Sequence, residues 1–303
     1  MKSSQLRDFL AVARTGSIRA AARSLSLTQP TLTKNLRLLE SDLGVPLLTR
    51  SGRGVELTEA GRRFHARAQI AWNELDRARS EVRQLVDTHA AATLAIGVSA
   101  APALIGLSSA VRQFRRDFAA VSIRIVPGNF SSVLSELKAG TLDFSIGPRS
   151  DNYLGDEFVV ETLMHNTRKV VCRIGHPLGQ AGSLTELLGA EWIATSGSGG
   201  GQSDFERYFR QHLLEAPAAS VSCEYPTALF ALLSSTDMLA LLPAQWTSTP
   251  ISAGLLREIP IREIIRDADI CAVYRGGVAL TPAADRFLTL MKRACEMHAA
   301  RGE

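Results

Sequence analysis

The sequence predicts an α/β protein with an N-terminal winged helix-turn-helix, a long linker helix and a two-lobed C-terminal region. Three observations predict this fold. Residues 5–43 carry three short helical patterns, and a Gly-rich turn between two short strand patterns follows them. A long helical pattern then runs to about Asp87, and strand and helix patterns alternate from Thr93 onward. Such alternation is typical of α/β architecture, and about two hundred residues suit two lobes better than one.

Three short helices are predicted first, over residues 5–14, 18–24 and 28–43. Caps and helix breakers mark their ends: Gly16, Ser17, Thr28 and Gly44. The third helix, with Pro30 in its first turn, would bury Leu32, Leu36 and Leu39. Its polar residues are left outside: Gln29, Thr31, Thr33, Lys34 and Arg37. Two helices joined by a tight turn, the second with a polar outer face, indicate a helix-turn-helix, although a plain helical bundle shares this pattern.

A β-wing is predicted next. Residues 46–50 and 55–57 read as two short strands around a Gly-rich turn. Arg50 and Arg53 lie at its tip. Because the minor groove has a strongly negative potential, an arginine on a glycine-rich tip is suited to enter it. The wing therefore favours DNA binding over a bundle that binds nothing.

A long helix is predicted from Glu59 to about Asp87, with Thr58 as its cap. Apolar residues form a heptad seam along it: Phe64, Ala68, Ala71, Leu75, Ala78, Val82 and Leu85. Spacing alternates between 4 and 3 residues, and this period favours a helix packed on its twin. A helix lying on its own domain would show the same residues. Residues 88–92 read as a short hinge.

The C-terminal region is predicted to alternate strands and helices in largely parallel sheets. The strands are expected at 94–98, 121–126, 143–146, 169–173, 192–195, 238–242 and 270–274. Helices are expected at 102–118, at 131–139, from about Ser203, and from Thr281 to near His298. We expect four segments: residues 1–58, a linker over 59–92, one lobe from 93–165 with 269–303, and the other from 166–268.

Composition narrows the class of protein. Hydrophobic residues make up 46% and charged residues 21%, as in globular proteins. Residues 1–65 hold eleven Lys and Arg against five Asp and Glu, whereas the whole chain carries only +4. A basic head on a near-neutral body is typical of a phosphate-binding domain. No apolar run is long enough for a signal peptide or a membrane span, so we expect a cytoplasmic protein.

Cysteine and histidine usage argues against disulfides, metal ions and cofactors. Cys172, Cys223, Cys271 and Cys295 are far apart with no C-x-x-C pair, so free and mostly buried thiols are expected. The six histidines are scattered likewise, and none pairs with a Cys or a carboxylate at metal-ligand spacing. We expect no metal and no cofactor.

Several stretches closely resemble the LysR-type transcriptional regulators. The matching residues are Ser17, Ala21, Ala22 and Leu25, then 27–33, Leu39, Glu40, 43–48, Arg50, 54–55, Leu57, Thr58, Ala60 and Gly61. Weaker similarity continues at 141–147, 176–178 and 280–284. Leu48 stands where the family usually has Phe. Thr33 stands where Ser is common, which could alter the favoured bases.

This resemblance implies a two-lobed effector domain like periplasmic binding proteins. It also implies homodimers that pair into tetramers and control promoters in response to a small metabolite. Residues at the N-terminus of a recognition helix reach base edges, so Gln29, Thr31 and Thr33 are candidates for base contact, with Pro30 giving an apolar contact. Phosphate contacts are expected from Lys34, Arg37 and Arg50, and a minor-groove contact from Arg53. Any one of them could instead be a solvated polar residue.

An effector site is predicted where strands end in small polar loops before helices. Ser99 and Ala100 follow one strand, and the run 196–199 (Ser196, Gly197, Ser198 and Gly199) follows another. Free N–H groups at helix N-termini suit an anion, so we expect a small organic acid there, with Asn129 and Gly147 lining the wall. The Gly/Ser run could instead be only a flexible loop. Arg149 is a possible counter-charge or an exposed residue.

Three other classes fit the sequence less well. An enzyme has little support, because no nucleophile motif such as G-x-S-x-G follows a strand. A free-standing solute-binding protein would not need the basic head, and its export would require a signal peptide. A DNA-packaging protein would fit the head but not the two-lobed remainder. The sequence therefore favours a DNA-binding regulator that responds to a small molecule.

Overall fold

The computed structural model describes residues 1–51, 54–86, 92–128, 130–149, 155–195, 204–247 and 252–300. The chain divides into two compact units. One comprises Met1–Asp87 with Lys138–Thr141, and the other comprises Thr88–Leu137 with Leu142–Glu303. The long helix thus belongs to the N-terminal unit, and both predicted lobes belong to the second unit.

The N-terminal unit contains four helices and a two-stranded wing in its described residues. They are α1 (Ser3–Thr15), α2 (Ile18–Ser24), α3 (Gln29–Leu43), β1 (Leu48–Ser51), β2 (Gly54–Leu57) and α4 (Glu59–Val86). Ser17 and Thr28 accept hydrogen bonds from the backbone N–H groups of Ala20 and Thr31, as expected of N-caps. Gly16 and Gly44 adopt φ angles of 62° and 71° and end α1 and α3. The predicted helices, caps and wing are therefore confirmed.

One hydrophobic cluster holds this unit together. Leu32, Leu36 and Leu39 of α3 are buried in it, as predicted. Ala68 is also buried there, and Phe64 packs against it, so the start of the heptad seam lies on its own domain. Further along α4 the seam is exposed within this chain: Ala71, Leu75, Ala78 and Val82. The Leu85 side chain lies outside the described set. The seam therefore packs into the domain core at its N-terminal end, and its apolar residues are exposed to solvent further along α4.

In its described residues, the second unit contains two β-sheets. The first has five strands in the order β4-β3-β5-β13-β6. These are β3 (Ala92–Val98), β4 (Val121–Pro127), β5 (Phe144–Pro148), β6 (Phe158–Met164) and β13 (Ile270–Arg275). The second has the order β11-β7-β10-β8-β9, with β12 also paired to β7. These are β7 (Thr167–Arg173), β8 (Trp192–Ala194), β9 (Val221–Ser222), β10 (Leu239–Pro243), β11 (Leu256–Glu258) and β12 (Ile265–Arg266).

Strand direction corrects the prediction of largely parallel sheets. β3 runs parallel to β4 and β5, but β13 is antiparallel to both β5 and β6. In the second sheet β7 is antiparallel to β10, β11 and β12, whereas β8 is parallel to β9 and β10. The chain enters the second sheet at β7 and returns to the first at β13, and each of these two strands is antiparallel to its neighbours. Both sheets are therefore mixed.

Helices cover these sheets. Three contiguous helical pieces follow β3: α5 (Ala100–Pro102), a π-helical turn (Ala103–Leu107) and α6 (Ser108–Asp117). The others are α7 (Phe130–Lys138), α8 (Asp204–Arg210), α9 (Pro226–Ser235) and α10 (Pro282–Ala299). A Cβ on Gly106 would lie 2.3 Å from the Cβ of Ala294, so only glycine lets the π-turn approach α10 this closely. No helix in the described ranges is both long and apolar enough to cross a membrane.

Candidate nucleic-acid interface and effector region

The outer face of α3 is an exposed polar surface. Gln29, Pro30, Lys34 and Arg37 are exposed and Thr33 is half-buried. Together with Leu38 and Ser41 they line one open concavity, whose volume is about 700 Å³. Five of the eight predicted DNA-contact residues therefore share one surface of α3, the predicted recognition helix.

The other three predicted DNA-contact residues have different surroundings. The Oγ1 atoms of Thr31 and Thr28 lie 2.8 Å apart, so the Thr31 hydroxyl already has a partner at the helix cap. Its methyl group is the part that remains suited to a base. Arg50 lies on β1 opposite Val55, but its side chain is outside the described set, as is the whole of Arg53.

The turn between α2 and α3 sets the direction in which α3 begins. The N–H of Ser26 donates to the carbonyl of Arg23 and that of Leu27 to the carbonyl of Ala22, which is a Schellman motif. Ser26 adopts a φ of 54°, a left-handed conformation that usually favours glycine. Two backbone hydrogen bonds therefore hold the turn in a conformation that serine rarely adopts.

A buried carboxylate joins α1 to the recognition helix. The Asp8 side chain is fully buried, and its Oδ2 accepts a 2.7 Å hydrogen bond from Asn35 Nδ2. Arg7 donates to Oδ1 of Asp8 through Nε and Nη2, at 3.1 and 2.9 Å. A buried charge is tolerated when it is paired and hydrogen-bonded, as here. Asp8 and Asn35 therefore position α3, a role that sequence reasoning missed.

The backbone of the wing is anchored on both sides by hydrogen bonds. Oε1 of Glu40 accepts hydrogen bonds from the N–H groups of Leu47 and Leu48, at 2.8 and 3.1 Å. The N–H of Val55 donates to the carbonyl of Gly16 at 2.9 Å. These contacts tie the wing to the end of α3 and to the turn after α1. Hydrogen bonds thus join α3 and the wing within this unit.

In the second unit, three strand ends of the first sheet converge. The N–H of Gly128, after β4, donates to the carbonyl of Val98 at 3.1 Å. A Cβ on Gly147 would lie 3.4 Å from Oγ of Ser99, so the Ser99 side chain lies beside Gly147. The predicted juxtaposition of Ser99 with Gly147 is therefore present, next to Gly128. Asn129 and residues 196–199 lie outside the described residues.

Ser99 and Ala100 offer different groups to an anion. The N–H of Ser99 is not free, because it donates to the carbonyl of Ile146 at 2.9 Å and extends the sheet. The first helical hydrogen bond runs from the N–H of Ala103 to the carbonyl of Ser99. The N–H groups of Ala100 and Ala101 therefore precede the helical ladder. Ser99 can contribute its hydroxyl to an anion, and Ala100 its N–H.

A polar cluster lies where the chain crosses between the two sheets. The nearly buried Asp267 carboxylate pairs with Arg168, whose Nε is 2.9 Å from Oδ2. The hydroxyl of Tyr208 donates to Oδ1 of Asp267 at 2.7 Å. The pKa of Tyr208 is raised, chiefly because the side chain is buried. Nη1 of Arg168 reaches Thr195 Oγ1, at the end of β8, at 3.4 Å. No sequence signal indicated this cluster, because its members are distant along the chain.

The four cysteines are free and buried, as predicted. Burial raises the pKa of the Cys172 and Cys271 thiols, and raises that of Cys295 to about 11. Since the thiolate is the reactive form, burial makes these three thiols less reactive than an exposed cysteine. In the described ranges, no three His, Cys, Asp or Glu side chains come together as metal ligands.

Two family models match the chain. The one described as "Bacterial regulatory helix-turn-helix protein, lysR family" matches residues 3–62. The one described as "LysR substrate binding domain" matches residues 87–296. Together they cover the α3 surface, the wing and both β-sheets.

Curated proteins and solved structures agree with these models. The HTH-type transcriptional regulator TdcA of Escherichia coli is 25% identical, with 99% of this chain and 95% of that protein covered. The uncharacterized HTH-type transcriptional regulator YdcI of the same species is 30% identical, with 76% of this chain and 72% of that protein covered. The full-length CbnR structure in complex with its target DNA has a TM-score of 0.70 at 22% identity, with 97% of this chain and 100% of CbnR covered.

Proposed function

Because the chain belongs to the LysR family of DNA-binding transcriptional regulators, we propose that it controls promoters in response to a small organic anion bound between its two lobes. The family consists of regulators and not of enzymes. The observation that carries the DNA-binding part is the exposed surface of α3, on which Gln29, Pro30, Thr33, Lys34 and Arg37 lie together. CbnR, which has the same fold, is described in complex with its target DNA.

On this surface the proposed contacts divide by chemistry. Gln29, in the first turn of α3, is suited to a bidentate hydrogen bond with adenine, and Thr33 to a thymine methyl group. Lys34 and Arg37 are suited to phosphates, which position the protein without reading sequence. Arg50 and Arg53 remain proposed wing contacts, with Arg53 in the minor groove.

Base reading and phosphate binding should separate in two single variants. Gln29→Ala should weaken binding to cognate DNA by about 1–3 kcal/mol and leave scrambled DNA nearly unaffected. Lys34→Ala should weaken both DNAs alike and reduce the slope of log affinity against log salt by about 1. Fluorescence anisotropy on both DNAs between low and moderate salt measures these effects. Equal losses on both DNAs for Gln29→Ala would refute its role in base reading.

The effector proposal is supported by the strand ends of the first sheet. Ser99 and Gly147 lie side by side, and the N–H groups of Ala100 and Ala101 precede the helical ladder. N–H groups at a helix start, together with a hydroxyl, favour a carboxylate. We place Asn129 and residues 196–199 on the same site as proposed contacts.

Screening organic acids for a thermal shift tests this site. We expect at least one acid to raise the melting temperature of the full chain, and Ser99→Ala to abolish that increase. Ser109→Ala is the matched control, because Ser109 only donates to the Gly106 carbonyl within the same helical stretch. If Ser99→Ala responded like the wild type, Ser99 would not belong to the site.

We also propose that the chain is a cytoplasmic homodimer through α4, and that two dimers form a tetramer. The exposed part of the seam supports the dimer, since Leu75 is 43% and Val82 is 62% exposed within this chain. Such an apolar stripe on one helix is the surface that a coiled-coil partner covers. A dimer would carry two copies of the α3 surface to two half-sites of one operator.

A further inference from the structure

An exposed leucine lies on the outer surface of α3. Leu38 is 47% exposed, and it lines the same open concavity as Lys34 and Arg37. It follows Lys34 by about one helical turn, and the buried Leu36 precedes it by two residues, on the opposite side of the helix. Single exposed leucines are common on proteins, so exposure alone indicates no function. What distinguishes Leu38 is its position among the proposed DNA contacts.

The concavity around Leu38 is basic. Lys34 and Arg37 contribute two cations, and none of the described residues that line it is acidic. Both carboxylates of α3 are bonded elsewhere: Oε1 of Glu40 accepts from backbone N–H groups of the wing, and Oδ2 of Asp42 lies 2.8 Å from the N-terminal amino group. A basic surface attracts the phosphates of DNA. Charge complementarity therefore favours DNA, and not an apolar protein surface, as the molecule that covers Leu38.

The concavity is long enough for α3 to contact several base pairs. It extends from Gln29 to Ser41, which is about 18 Å along the helix at about 1.5 Å per residue. Successive base pairs are about 3.4 Å apart, so this length spans about five of them. Leu38 lies about 7 Å beyond Thr33 along the helix axis. Leu38 would therefore meet a base pair about two steps from the one assigned to Thr33.

A leucine side chain suits one group in the major groove. Thymine displays a methyl group there, and the other groups that distinguish the bases are hydrogen-bond donors and acceptors. Leucine can neither donate nor accept, so placing it against those groups would remove water without replacing the lost hydrogen bonds. Against a thymine methyl group it buries apolar surface without that penalty.

We propose that Leu38 contacts the methyl group of a thymine in the major groove and is a specificity-determining residue. The inference rests on the proposed function of α3 as the recognition helix. It adds an apolar contact from the third turn of α3 to the contacts proposed for Gln29 and Thr33. Thymine would then be preferred at this position over cytosine and over uracil, neither of which carries that methyl group.

Replacement of single thymines by deoxyuridine tests the proposal. The probe is a duplex that the full chain enriches from a random pool, and each substitution removes one methyl group while it keeps every hydrogen-bonding group. We expect one such position to weaken binding of the wild type about fourfold, which corresponds to about 0.8 kcal/mol for one buried methyl-sized group. Fluorescence anisotropy on each duplex measures the affinities.

Variants assign that position to Leu38. Leu38→Ala should bind the thymine and deoxyuridine duplexes equally at that position, whereas Leu38→Met, which keeps an apolar side chain of similar volume, should retain the difference. Leu43→Ala is the matched control. Leu43 is a leucine of the same helix that is 38% exposed, but it lies about 140° around the helix from Leu38 and does not line the concavity. It should keep the fourfold difference. Alanine is a good helix former, so α3 should persist in both alanine variants.

The outcomes separate this inference from the proposed function. If the wild type enriches a duplex and Leu38→Ala keeps every thymine preference of the wild type, the inference is overturned and the DNA-binding function stands. Loss of the same preference in Leu43→Ala would also overturn it, because the effect would then belong to α3 as a whole. If the wild type enriches no duplex, the proposed function fails and this inference fails with it.

Discussion

Replacing both Leu75 and Val82 with glutamate should dissociate the proposed dimer. Both side chains lie on the seam of α4 and are exposed within one chain, so glutamate there leaves the monomer fold intact. In a dimer the same carboxylates would be buried against their symmetry mates, which is unfavourable for unpaired charges. We expect a monomer by light scattering.

Loss of the dimer should greatly weaken binding to DNA. A dimer binds its second half-site at a high effective concentration, and linked binding of this kind raises affinity by about 10²–10⁴-fold. The double variant should lose this gain on a two-half-site operator, yet bind a single half-site as the wild type does. Anisotropy on the two DNAs measures both affinities.

Ser80→Glu is the control for the added charge. Residue 80 lies two positions from both Ala78 and Val82, which places it on the opposite face of the helix at about 100° per residue. It should leave the dimer and its DNA affinity unchanged. A double variant that stays dimeric would exclude α4 as the dimer surface.

Replacing Gly61 with alanine should destabilise the wing and the start of α4. A Cβ at this position would lie 2.0 Å from the carbonyl oxygen of Leu47 and 3.3 Å from a Leu57 methyl group. The obstructing atom is backbone, so no rotamer change relieves the clash. We expect a loss of about 3 kcal/mol or more of local stability, at the upper end of the range for overpacking. Binding to DNA should weaken as well, because β1 begins directly after Leu47.

Gly44→Ala separates a clash from backbone strain. Gly44 has a φ of 71° at the end of α3, but a Cβ there would meet nothing within 4 Å. Only left-handed strain applies, at about 1–2 kcal/mol. Hydrogen exchange of peptides that cover residues 44–61 gives the opening free energy in both variants. Similar losses for the two substitutions would contradict the close packing of Gly61 on Leu47.

Local sequence signals predicted the helices of the N-terminal unit well. The bounds of α2 and α3 follow from Ser17, Thr28, Pro30 and Gly44, because caps and left-handed glycines act within one turn of the chain. Strands were harder to predict from the sequence. β6, β9, β11 and β12 were not predicted, and the last three have only two or three residues each. Segments so short carry no period of their own, and pairing with a distant neighbour makes them strands.

Long-range contacts explain what was missed in the sites. Asp8 was counted as one more acid in a basic head, but Asn35, 27 residues later, holds it in the core. Free N–H groups were expected at the start of the helix after β3, and the sequence did not indicate that the N–H of Ser99 donates to the carbonyl of Ile146 in β5. In both cases the partner is set by how elements pack and by nothing near the residue in sequence.

The winged helix-turn-helix is therefore what the sequence determined alone. Its caps, turn residues and helical periods are local, and the polar face of α3 follows from the same period that buries Leu32, Leu36 and Leu39. Tertiary structure decided the mixed direction of the two sheets and the polar cluster of Arg168, Tyr208 and Asp267. That cluster joins residues about one hundred positions apart, which only the two crossings between the lobes bring together. Local preferences act over a few residues, whereas a buried charge finds its partners through the fold.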